Sequence, residues 1–493
     1  MPTLPSGEAP PQPPGLVLAP FRGVRYAEDR VSGLARVTSP PYDVIAADNE
    51  TRLMAADPHN VVRLILPRHP ADEPGSPFQH AAADLASWVA EGILVADPVP
   101  ALYVYEQAAA GAGVVLQRGL IGALGLAPYA ARIVQPHENV MPGPVAGRRQ
   151  LMEATRANLE PIFLLYENGN GVATGLVDAV ADGRAPLAEA TTADGLRHRL
   201  WAITEPAELA AIAADLAPRT ALIADGHHRY AAYLEVQRLL RQAGGGSGPW
   251  DRGLALLVDS AAYPPQVGAI HRVVDGLVPE TAARLASAAF EVRELPGGAR
   301  DVPGILAGLA GACSGGVAFV LAGRGRAWLL SDPDPAQLSA AVPDRPPELW
   351  QRVGGTVMAD LLFARLWGVA DDERSVRAFH DPAGALAAAD GGSGGSGGSI
   401  GSGDSDSPGG SSGSGGSDSS RGSDDSHDSH SSRGSDGSDG SGTFGGGTAV
   451  LCCPMSAAQV YEVAALGRRV PRKSTSFGPK PRTGLVMRLF AEG

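Results

Sequence analysis

The sequence predicts an α+β protein built from mixed β-sheets and short helices, and three observations support this class. Short apolar runs typical of strands alternate along the chain with stretches whose apolar residues recur at helical spacing. Outside the Gly-rich stretch 391–447, neither a G-x-G-x-x-G nor a Walker sequence is present, which argues against a long Rossmann array. Over residues 391–447 the composition changes abruptly to Gly, Ser and Asp, which predicts a long disordered insertion.

Length and composition indicate several structural units. The chain has 493 residues, of which 44% are hydrophobic, so it exceeds what one hydrophobic core usually serves. We predict a disordered Pro-rich tail at 1–20, an α/β region carrying the main motifs at 21–276, a second α/β region at 277–390, the insertion at 391–447, and a C-terminal segment completing the fold at 448–493.

The charge and hydropathy patterns exclude some classes of partner. The formal charge is −13, but the insertion contains eight Asp and two Arg, so the remainder carries −7. An acidic chain is a poor candidate for broad nucleic-acid binding, which needs clustered cations. No uncharged apolar run of about eighteen residues occurs, and the first residues resemble no signal peptide. We therefore expect a cytoplasmic protein with no membrane contact.

The three cysteines suggest neither a disulfide framework nor a zinc site. Cys313 is isolated, and Cys452 and Cys453 are adjacent, so the spacing of zinc-ligand pairs is absent. We expect all three to be small buried apolar side chains.

The N-terminal third begins with extended pieces and a stiff loop. The Pro-Pro step at Pro40 and Pro41 restricts the backbone, so we expect Tyr42 and Asp43 to lie on a rigid turn. "NVVRLILP" (60–67) resembles an apolar strand that ends at proline. "HAAADLASWVAEGIL" (80–94) has the apolar spacing of a helix.

Further strands follow along the chain. "ALYVYEQ" and "GLIGALGLAPY" are predicted to be paired strands, and so are "EPIFLLYEN" and "RHRLWAIT". The clearest unit is "TALIADGHHRYAAYLEVQRLLRQAGGG", which predicts a strand ending at Ala224 and a helix over 227–242. Strand-like runs continue in "RGLALLVD", "AIHRVVDG", "GVAFVLAG", "RAWLLSD" and "TAVLCCPM".

The strand-to-helix step in that unit is a candidate phosphate site. A helix N-terminus presents unpaired amides and partial positive charge, which bind anions. Asp225 can cap the helix or hold a magnesium ion, and Gly226 lets the backbone approach a ligand. His227, His228 and Arg229 add imidazole and guanidinium donors. The alternative is an ordinary capped helix.

Two other stretches supply complementary groups. "IVQPHENVMPGPVAGRRQ" contains His137 and Glu138, and Glu138 is a candidate general base. Arg148 and Arg149 are either hydrogen-bond donors to an anion or part of an ordinary solvated helix start. His271 and Arg272 lie inside an apolar strand, where a packed histidine is as reasonable as a functional one.

Only two of the forty basic residues are lysines, and both lie in "PRKSTSFGPKPR". Their survival in one stretch suggests that a compact ammonium is needed there, which guanidinium does not replace. Lys473, Ser474, Thr475 and Lys480 surround a Gly-Pro turn and are predicted to form a lid over phosphates.

These motifs resemble a known family. "FRGVRY", "SPPYDVI", "PHENVMPGP", "ATRANLEPIF", "IADGHHRYAA" and "PRKSTSFGPKPRTGLV" are similar to the bacterial and archaeal domain of unknown function 1015, from Phe21 to Leu489. Genes of that family often neighbour those of the phosphorylated serine pathway. Asp-Gly-His-His-Arg is also similar to the phosphate-binding motif of the ParB/sulfiredoxin superfamily, which includes nucleotide-dependent free-serine kinases. A lysine common in the family near Val145 is absent.

The resemblance implies ParB/sulfiredoxin-like elements and an enzyme that transfers a phosphoryl group between a nucleotide, or pyrophosphate, and serine or a similar small hydroxy amino acid. In this hypothesis Glu138, Asp43 and His228 are catalytic, the Asp225 motif and the lysine segment bind phosphate, and Mg²⁺ assists. The alternatives are a metal-dependent phosphatase using the histidines and Asp225 as ligands, a non-catalytic nucleotide-binding module, and a structural scaffold.

Overall fold

The computed structural model describes residues 15–68, 75–111, 113–167, 171–342, 352–372, 374–391 and 446–491. The predicted Pro-rich tail, up to residue 14, and the insertion between residues 391 and 446 lie outside the described residues. No helix within the described part is long and apolar enough to span a bilayer.

The described strands form two principal sheets, which confirms the predicted α+β class. Nine strands build the larger one. In spatial order eight of them are Val134–Gln135, Ala221–Asp225, Ile162–Tyr166, Arg252–Asp259, Val115–Gly125, Leu102–Ala109, Leu196–Ile203 and Ala188–Thr191, and Leu18–Ala19 pairs with Val115–Gly125. Ala221–Asp225 is parallel to Val134–Gln135, and Arg252–Asp259 is parallel to Ile162–Tyr166, so the sheet is mixed.

The second sheet is antiparallel in all its described pairings. Its six strands are Glu291–Glu294, Arg326–Ser331, Phe319–Gly323, Gly447–Cys452, His271–Asp275 and Val376–Phe379. Three small sheets join distant parts of the chain: Val24–Tyr26 with Leu94–Ala96, Gln266–Gly268 with Ser476–Gly478, and Ala157–Asn158 with Arg488–Leu489.

Helices cover these sheets. The described α-helices are Leu34–Val37, Ala47–Ala56, Val62–Ile65, Pro77–Ala90, Pro142–Thr155, Val172–Gly183, Pro206–Leu216, His227–Gln242, Pro279–Ala286, Val302–Cys313, Pro335–Ala341, Gly354–Thr356, Pro382–Ala389 and Ala457–Ala465. Short 3-10 turns occupy Glu28–Arg30, Tyr42–Val44, Tyr129–Ala131, Pro249–Asp251 and Gly298–Arg300, and Val357–Trp367 is π-helical.

The larger sheet is buried on both faces. Tyr103 and Tyr105 pack in one apolar cluster, whereas Leu102 and Val104 pack in another. Because successive side chains of a strand point to opposite faces, the two clusters lie on opposite sides of the sheet. This explains why the strands are almost continuously apolar rather than alternating.

Most element predictions are confirmed, but one element and one strand pairing are wrong. "NVVRLILP" contains the helical turn Val62–Ile65, not a strand. The side chain of Asn60 accepts a hydrogen bond from the amide of Val62 at 2.9 Å and donates one to the carbonyl of Arg36 at 2.6 Å. This local bonding favours a turn of helix, which a short apolar run cannot reveal. Ile162–Tyr166 and Leu196–Ile203 are strands, but they do not pair with each other.

The prediction for the cysteines is wrong for two of the three. Cys313, at the end of a helix, and Cys453, just after a strand of the second sheet, form a disulfide with their Cα atoms 6.5 Å apart. One partner follows the other by 140 residues, so spacing gave no indication of the pair. Cys452 is a free, buried side chain as expected.

Residues 446–491, here called the C-terminal segment, add a strand to the second sheet and pack a helix against the larger one. Their strand Gly447–Cys452 lies between Phe319–Gly323 and His271–Asp275. The helix Ala457–Ala465 then packs its buried face into the same apolar cluster as Tyr103 and Tyr105. The segment therefore completes the second sheet before it reaches the larger one.

Removing residues 392–445 is expected to leave the fold intact. A Cβ atom on Gly391 would lie 3.8 Å from the amide nitrogen of Gly446, so the two ends already meet. If the replaced segment is a flexible loop, a four-residue Gly/Ser linker lowers the closure entropy and raises the free energy of unfolding by about 2 kcal/mol. Urea denaturation of both forms measures the change. A large loss of stability would show that the segment packs against the fold.

Candidate functional site

The candidate site begins where the strand Ala221–Asp225 ends and the helix His227–Gln242 starts. Gly226 joins them with φ 95°, a left-handed conformation that suits glycine. A Cβ there would lie 2.9 Å from Cγ2 of Ile162 and 3.2 Å from Nε of Arg229. Any larger residue at this position would therefore push the helix away from the sheet.

Asp225 does not cap this helix, contrary to the prediction. Gly226 is the N-cap residue, and it has no side chain to form a capping hydrogen bond. The carboxylate of Asp225 instead accepts a hydrogen bond from Nη2 of Arg229 at 2.5 Å and pairs with the ammonium of Lys480. By helix geometry the first-turn amides have no intrahelical acceptors, so they remain donors for an anion.

Arg229 is committed to the protein. It is 1% exposed, and its Nη1 donates to the carbonyl oxygen of Pro161 at 2.6 Å. Burial acts to lower its pKa, but the carboxylates of Glu160, Asp225 and Asp43 outweigh burial and raise the pKa above its ordinary value. These contacts fit a residue that positions Asp225 better than one that grips a phosphate.

Lys480 connects two carboxylates that are distant in sequence. Its ammonium contacts Asp225 and lies 3.3 Å from Oδ2 of Asp43. Burial acts to lower the pKa of Lys480, but the two carboxylates raise it above its ordinary value. Burial also acts to raise the pKa of Asp43, and Lys480, Arg229 and Lys473 together hold it below its ordinary value. All these charges are therefore present at neutral pH.

The histidines of the site are neutral and engaged. His137 donates from Nδ1 to the carbonyl oxygen of Ile223 at 2.8 Å, so its Nε2 accepts from the hydroxyl of Thr475, also at 2.8 Å. Nε2 of His228 accepts from the amide of Met141 at 3.1 Å. Burial lowers the pKa of His137 and of His228 to about 4.

His227 packs edge-on against His137, with the ring centroids 4.6 Å apart. Burial, followed by His137 and His228, lowers its pKa well below the ordinary value. Its Nε2 lies 3.4 Å from the amide nitrogen of His137, and its Nδ1 lies 3.6 Å from Oε1 of Glu138. His227 is thus a neutral neighbour of the candidate base.

Glu138 has the properties of a proton-transfer group. Burial raises its pKa to about 7, Asp225 adds to the rise, and the two lysines Lys473 and Lys480 oppose it. The side chain is 16% exposed, so solvent or a substrate can reach it. A carboxyl group with this pKa can accept or return a proton at neutral pH.

Lys473 is held by its backbone and leaves its ammonium available. Nη2 of Arg272 donates to the carbonyl oxygens of Arg472 and Lys473 at 2.8 and 2.7 Å, and Lys473 has φ 53°. Within the described residues the Lys473 ammonium makes neither an ion pair nor a side-chain hydrogen bond. Its backbone is therefore held in place, while its ammonium is a cation that a ligand can meet.

These groups line one cavity of about 820 Å³. The predicted residues that line it are Asp43, His137, Glu138, Arg148, Asp225, Gly226, His227, His228, Arg229, Lys473, Thr475 and Lys480. The structure thus brings four separate motifs together. The cavity also has an apolar side, formed in part by Leu66, Pro67 and Phe78.

Other predicted residues lie behind the cavity wall. The hydroxyl of Ser474 donates to the carbonyl of Pro471 at 2.7 Å, so it braces the lysine segment. Nδ1 of His271 accepts from the amide of Cys452 at 3.3 Å between two strands. Arg149 pairs with Glu153 on the helix surface. Arg272 does not line the cavity, but its guanidinium holds the backbone of Lys473.

Arg148 lines the cavity, but its guanidinium already interacts with protein groups. Its guanidinium stacks 4.2 Å over the ring of Tyr42, and Nη1 donates to the carbonyl of Ile65 at 2.7 Å. It also lies 3.7 Å from Glu160, whose carboxylate accepts from the amide of Tyr42 at 3.0 Å. This cluster fixes the turn that carries Asp43.

His380 also lines the cavity, although it was not predicted from the sequence. It follows the strand Val376–Phe379 of the second sheet and lines the cavity together with Ile270. Burial, followed by the charges of Lys480 and Lys473, lowers its pKa to about 4. His380 lies in "RAFHDP", which matches no motif of a binding or catalytic site. Its place in the cavity becomes visible only when the second sheet is seen beside the larger one.

The residues present do not fit a resident metal ion. Among the described residues, no group of three or more His, Cys, Asp or Glu side chains could hold one. Nitrogen atoms of His137 and His228 that a metal would need already take part in hydrogen bonds. Asp225, the predicted magnesium ligand, is paired with Arg229 and Lys480.

A family model agrees with this set of motifs. The model described as "Protein of unknown function (DUF1015)" matches residues 18–353, about two thirds of the chain. The chain belongs to this family. The resemblance inferred from the motifs is thereby confirmed over these residues, while the lysine segment lies beyond the match. No curated protein matches the sequence.

Several solved structures show a slight overall likeness. "Free serine kinase in complex with AMP" is 13% identical, with 73% of this chain and 90% of that chain covered and a TM-score of 0.28. "SbnI with C-terminal truncation from Staphylococcus aureus" is 10% identical, with 75% and 87% covered and a TM-score of 0.30. A conserved hypothetical protein from Pyrococcus furiosus is 12% identical, with 73% of this chain and 94% of that chain covered and a TM-score of 0.30. Likeness at this level carries no argument about the site.

Replacing Thr475 by Val is expected to lower the free energy of unfolding by about 1–3 kcal/mol, because Nε2 of buried His137 loses its partner. Urea denaturation measures the change. Thr51→Val is the matched control, since the Thr51 hydroxyl bonds to its own helix at an exposed position. Equal effects of the two substitutions would contradict the structural role of the His137–Thr475 bond.

Glu138→Gln tests the raised pKa directly. The folded protein holds the Glu138 proton up to about pH 7, whereas the unfolded chain releases it near pH 4.5. The contribution of Glu138 to stability is therefore complete below pH 4.5 and lost as pH rises through 7. Relative to Glu138→Gln, the wild type should lose about 3 kcal/mol over this window. A pH-independent difference between the two proteins would rule out the raised pKa.

Proposed function

We propose that this protein transfers a phosphoryl group between a phosphoanhydride donor, a nucleotide or pyrophosphate, and the hydroxyl of a small hydroxy amino acid such as serine. The observation that carries the proposal is the position of Glu138, whose pKa is raised to about 7, in one cavity with a helix N-terminus and the ammonium of Lys473, which has no partner among the described residues. Serine comes from the family resemblance and not from the geometry.

The charged side of the cavity suits an anionic ligand. Arg68 is paired with Glu50 and Arg148 with Glu160. The other cations, Lys473, Lys480 and Arg229, face Asp43 and Asp225, so one positive charge is left over when Glu138 is protonated, and the charges balance when it is ionised. Because the surrounding histidines are neutral, they add donors and acceptors without adding charge. The excess is located on Lys473, in the cavity that the first residues of the helix His227–Gln242 also line.

The cavity volume is compatible with two ligands. Sites for small molecules and cofactors span roughly 300–1,000 Å³. At about 820 Å³, this cavity has room for a phosphate donor beside a small amino acid. Its apolar side provides a surface for the uncharged part of a larger donor.

The reaction needs little covalent chemistry from the protein. An oxygen–phosphorus bond forms between the substrate hydroxyl and the terminal phosphoryl group, and the bond from that phosphorus to the leaving oxygen breaks. Glu138, as carboxylate, takes the hydroxyl proton. Lys473 and the helix amides stabilise the negative charge on the phosphoryl and leaving groups, which is the main requirement of phosphoryl transfer. In the reverse direction, protonated Glu138 returns the proton.

Phosphorus NMR of the purified protein tests the proposal, with serine plus ATP, ADP or pyrophosphate in Mg²⁺ buffer, and with phosphoserine plus each product. We expect phosphoserine to form or to disappear. Because the carboxylate form of Glu138 is required, kcat/KM in the forward direction should rise tenfold per pH unit up to about pH 7.

Two variants and one control assign the roles. Glu138→Gln should lower kcat by about 10²–10⁴-fold and abolish this pH dependence. Lys473→Met should lower kcat/KM by about 10²-fold, since it removes charge stabilisation. Glu153→Gln, at a half-buried position that does not line the cavity and is paired with Arg149, should leave activity within about twofold. Free phosphate without an acceptor would indicate a phosphatase, and nucleotide binding without turnover would indicate a non-catalytic module.

A further inference from the structure

Lys480 is held in place more firmly than a ligand-gripping lysine needs to be. Gln107 donates to its carbonyl oxygen at 3.0 Å, and Gln117 donates to that of Pro479 at 2.8 Å. The hydroxyl of Tyr105 accepts from the amide of Arg482 at 3.0 Å. All three side chains come from two adjacent strands of the larger sheet, and the two glutamines are at most 2% exposed.

This anchoring places the ammonium of Lys480 between two carboxylates. It contacts Oδ1 of Asp225 and lies 3.3 Å from Oδ2 of Asp43, while Oδ2 of Asp225 bonds to Arg229. Three of the four carboxylate oxygens thus face a fixed cation. The fourth, Oδ1 of Asp43, is buried without a hydrogen-bond partner among the described residues.

A divalent cation held by both carboxylates would need the same space. Mg²⁺ binds carboxylate oxygens at about 2 Å in octahedral geometry, so an ion bridging Asp43 and Asp225 would collide with the ammonium of Lys480. It would also lie beside the charge of Arg229. Arg229 cannot withdraw easily, because it is fully enclosed. The backbone on both sides of Lys480 is bonded to the sheet, which keeps the base of its side chain beside the two carboxylates.

We propose that Lys480 is a built-in substitute for a divalent cation between Asp43 and Asp225, so that the protein alone binds no metal there. Lys480 is then a positioning residue that keeps both carboxylates in place and neutralised, and Lys473 is the lysine that meets the ligand. This assignment rests on the proposed function only in treating the cavity as a phosphate site. Any Mg²⁺ that takes part enters as the complex of the phosphate donor.

Electron paramagnetic resonance with Mn²⁺ as the probe tests the inference without nucleotide or turnover. Wild type should show no specific Mn²⁺ site. Lys480→Ala should gain one site and bind Mn²⁺ at least tenfold more tightly than wild type, since the carboxylate pair loses its cation. Lys480→Arg, which keeps the charge, should gain none, and Lys480→Ala combined with Asp225→Asn should lose the gained site.

Two results would overturn the inference. One is a single Mn²⁺ site in wild type that disappears in Asp225→Asn, because a metal would then displace Lys480. The other is a folded Lys480→Ala protein that binds Mn²⁺ no better than wild type. If Lys480→Ala does not fold, the wild-type and Asp225→Asn titrations still decide the matter. Absence of phosphoryl transfer would leave these binding results unchanged, so the two proposals fail separately.

Discussion

The site depends on one buried charge cluster, in which Asp225 lies between Arg229 and Lys480 and the latter also reaches Asp43. Burying single charges is costly, and these groups remain ionised only because they neutralise each other. The cluster joins three distant parts of the chain: the turn after Pro41, the start of a long helix and the C-terminal segment. Each of these also delivers a wall of the cavity.

The surrounding polar groups follow from that arrangement. The histidines are kept neutral by burial, and their hydrogen bonds connect the Asp225 turn to the loop of Glu138 and to the lysine segment. Glu138 lies at the edge of the cluster, where burial dominates over the nearby cations and its pKa is raised. At Asp43 the cations outweigh burial and lower the pKa. Two carboxylates in one cavity thus have different protonation behaviour, because the cations prevail over burial at Asp43 and burial prevails at Glu138.

Local features of this structure could be predicted from sequence, and long-range pairings could not. The strand, turn and helix around Asp225 were predicted to within one residue, because periodicity and the glycine act over a few positions. The partner of Asp225 could not be predicted, since Lys480 is 255 residues away. For the same reason Arg229 looked like a phosphate donor, whereas its donors are used internally, and the disulfide and His380 left no pattern. The turn at Val62–Ile65 was missed because a short, mostly apolar run does not distinguish helix from strand.

The C-terminal segment has a consequence for biosynthesis. Domains generally fold from the N-terminus while the chain is being made. Here the strand Gly447–Cys452 fills the middle of the second sheet, and both lysines of the cavity come later still. Until these residues leave the ribosome, the edges of Phe319–Gly323 and His271–Asp275 are open to wrong partners, and the carboxylates of Asp43 and Asp225 lack their shared counter-ion. The candidate cavity therefore cannot form until the C-terminal segment has been made.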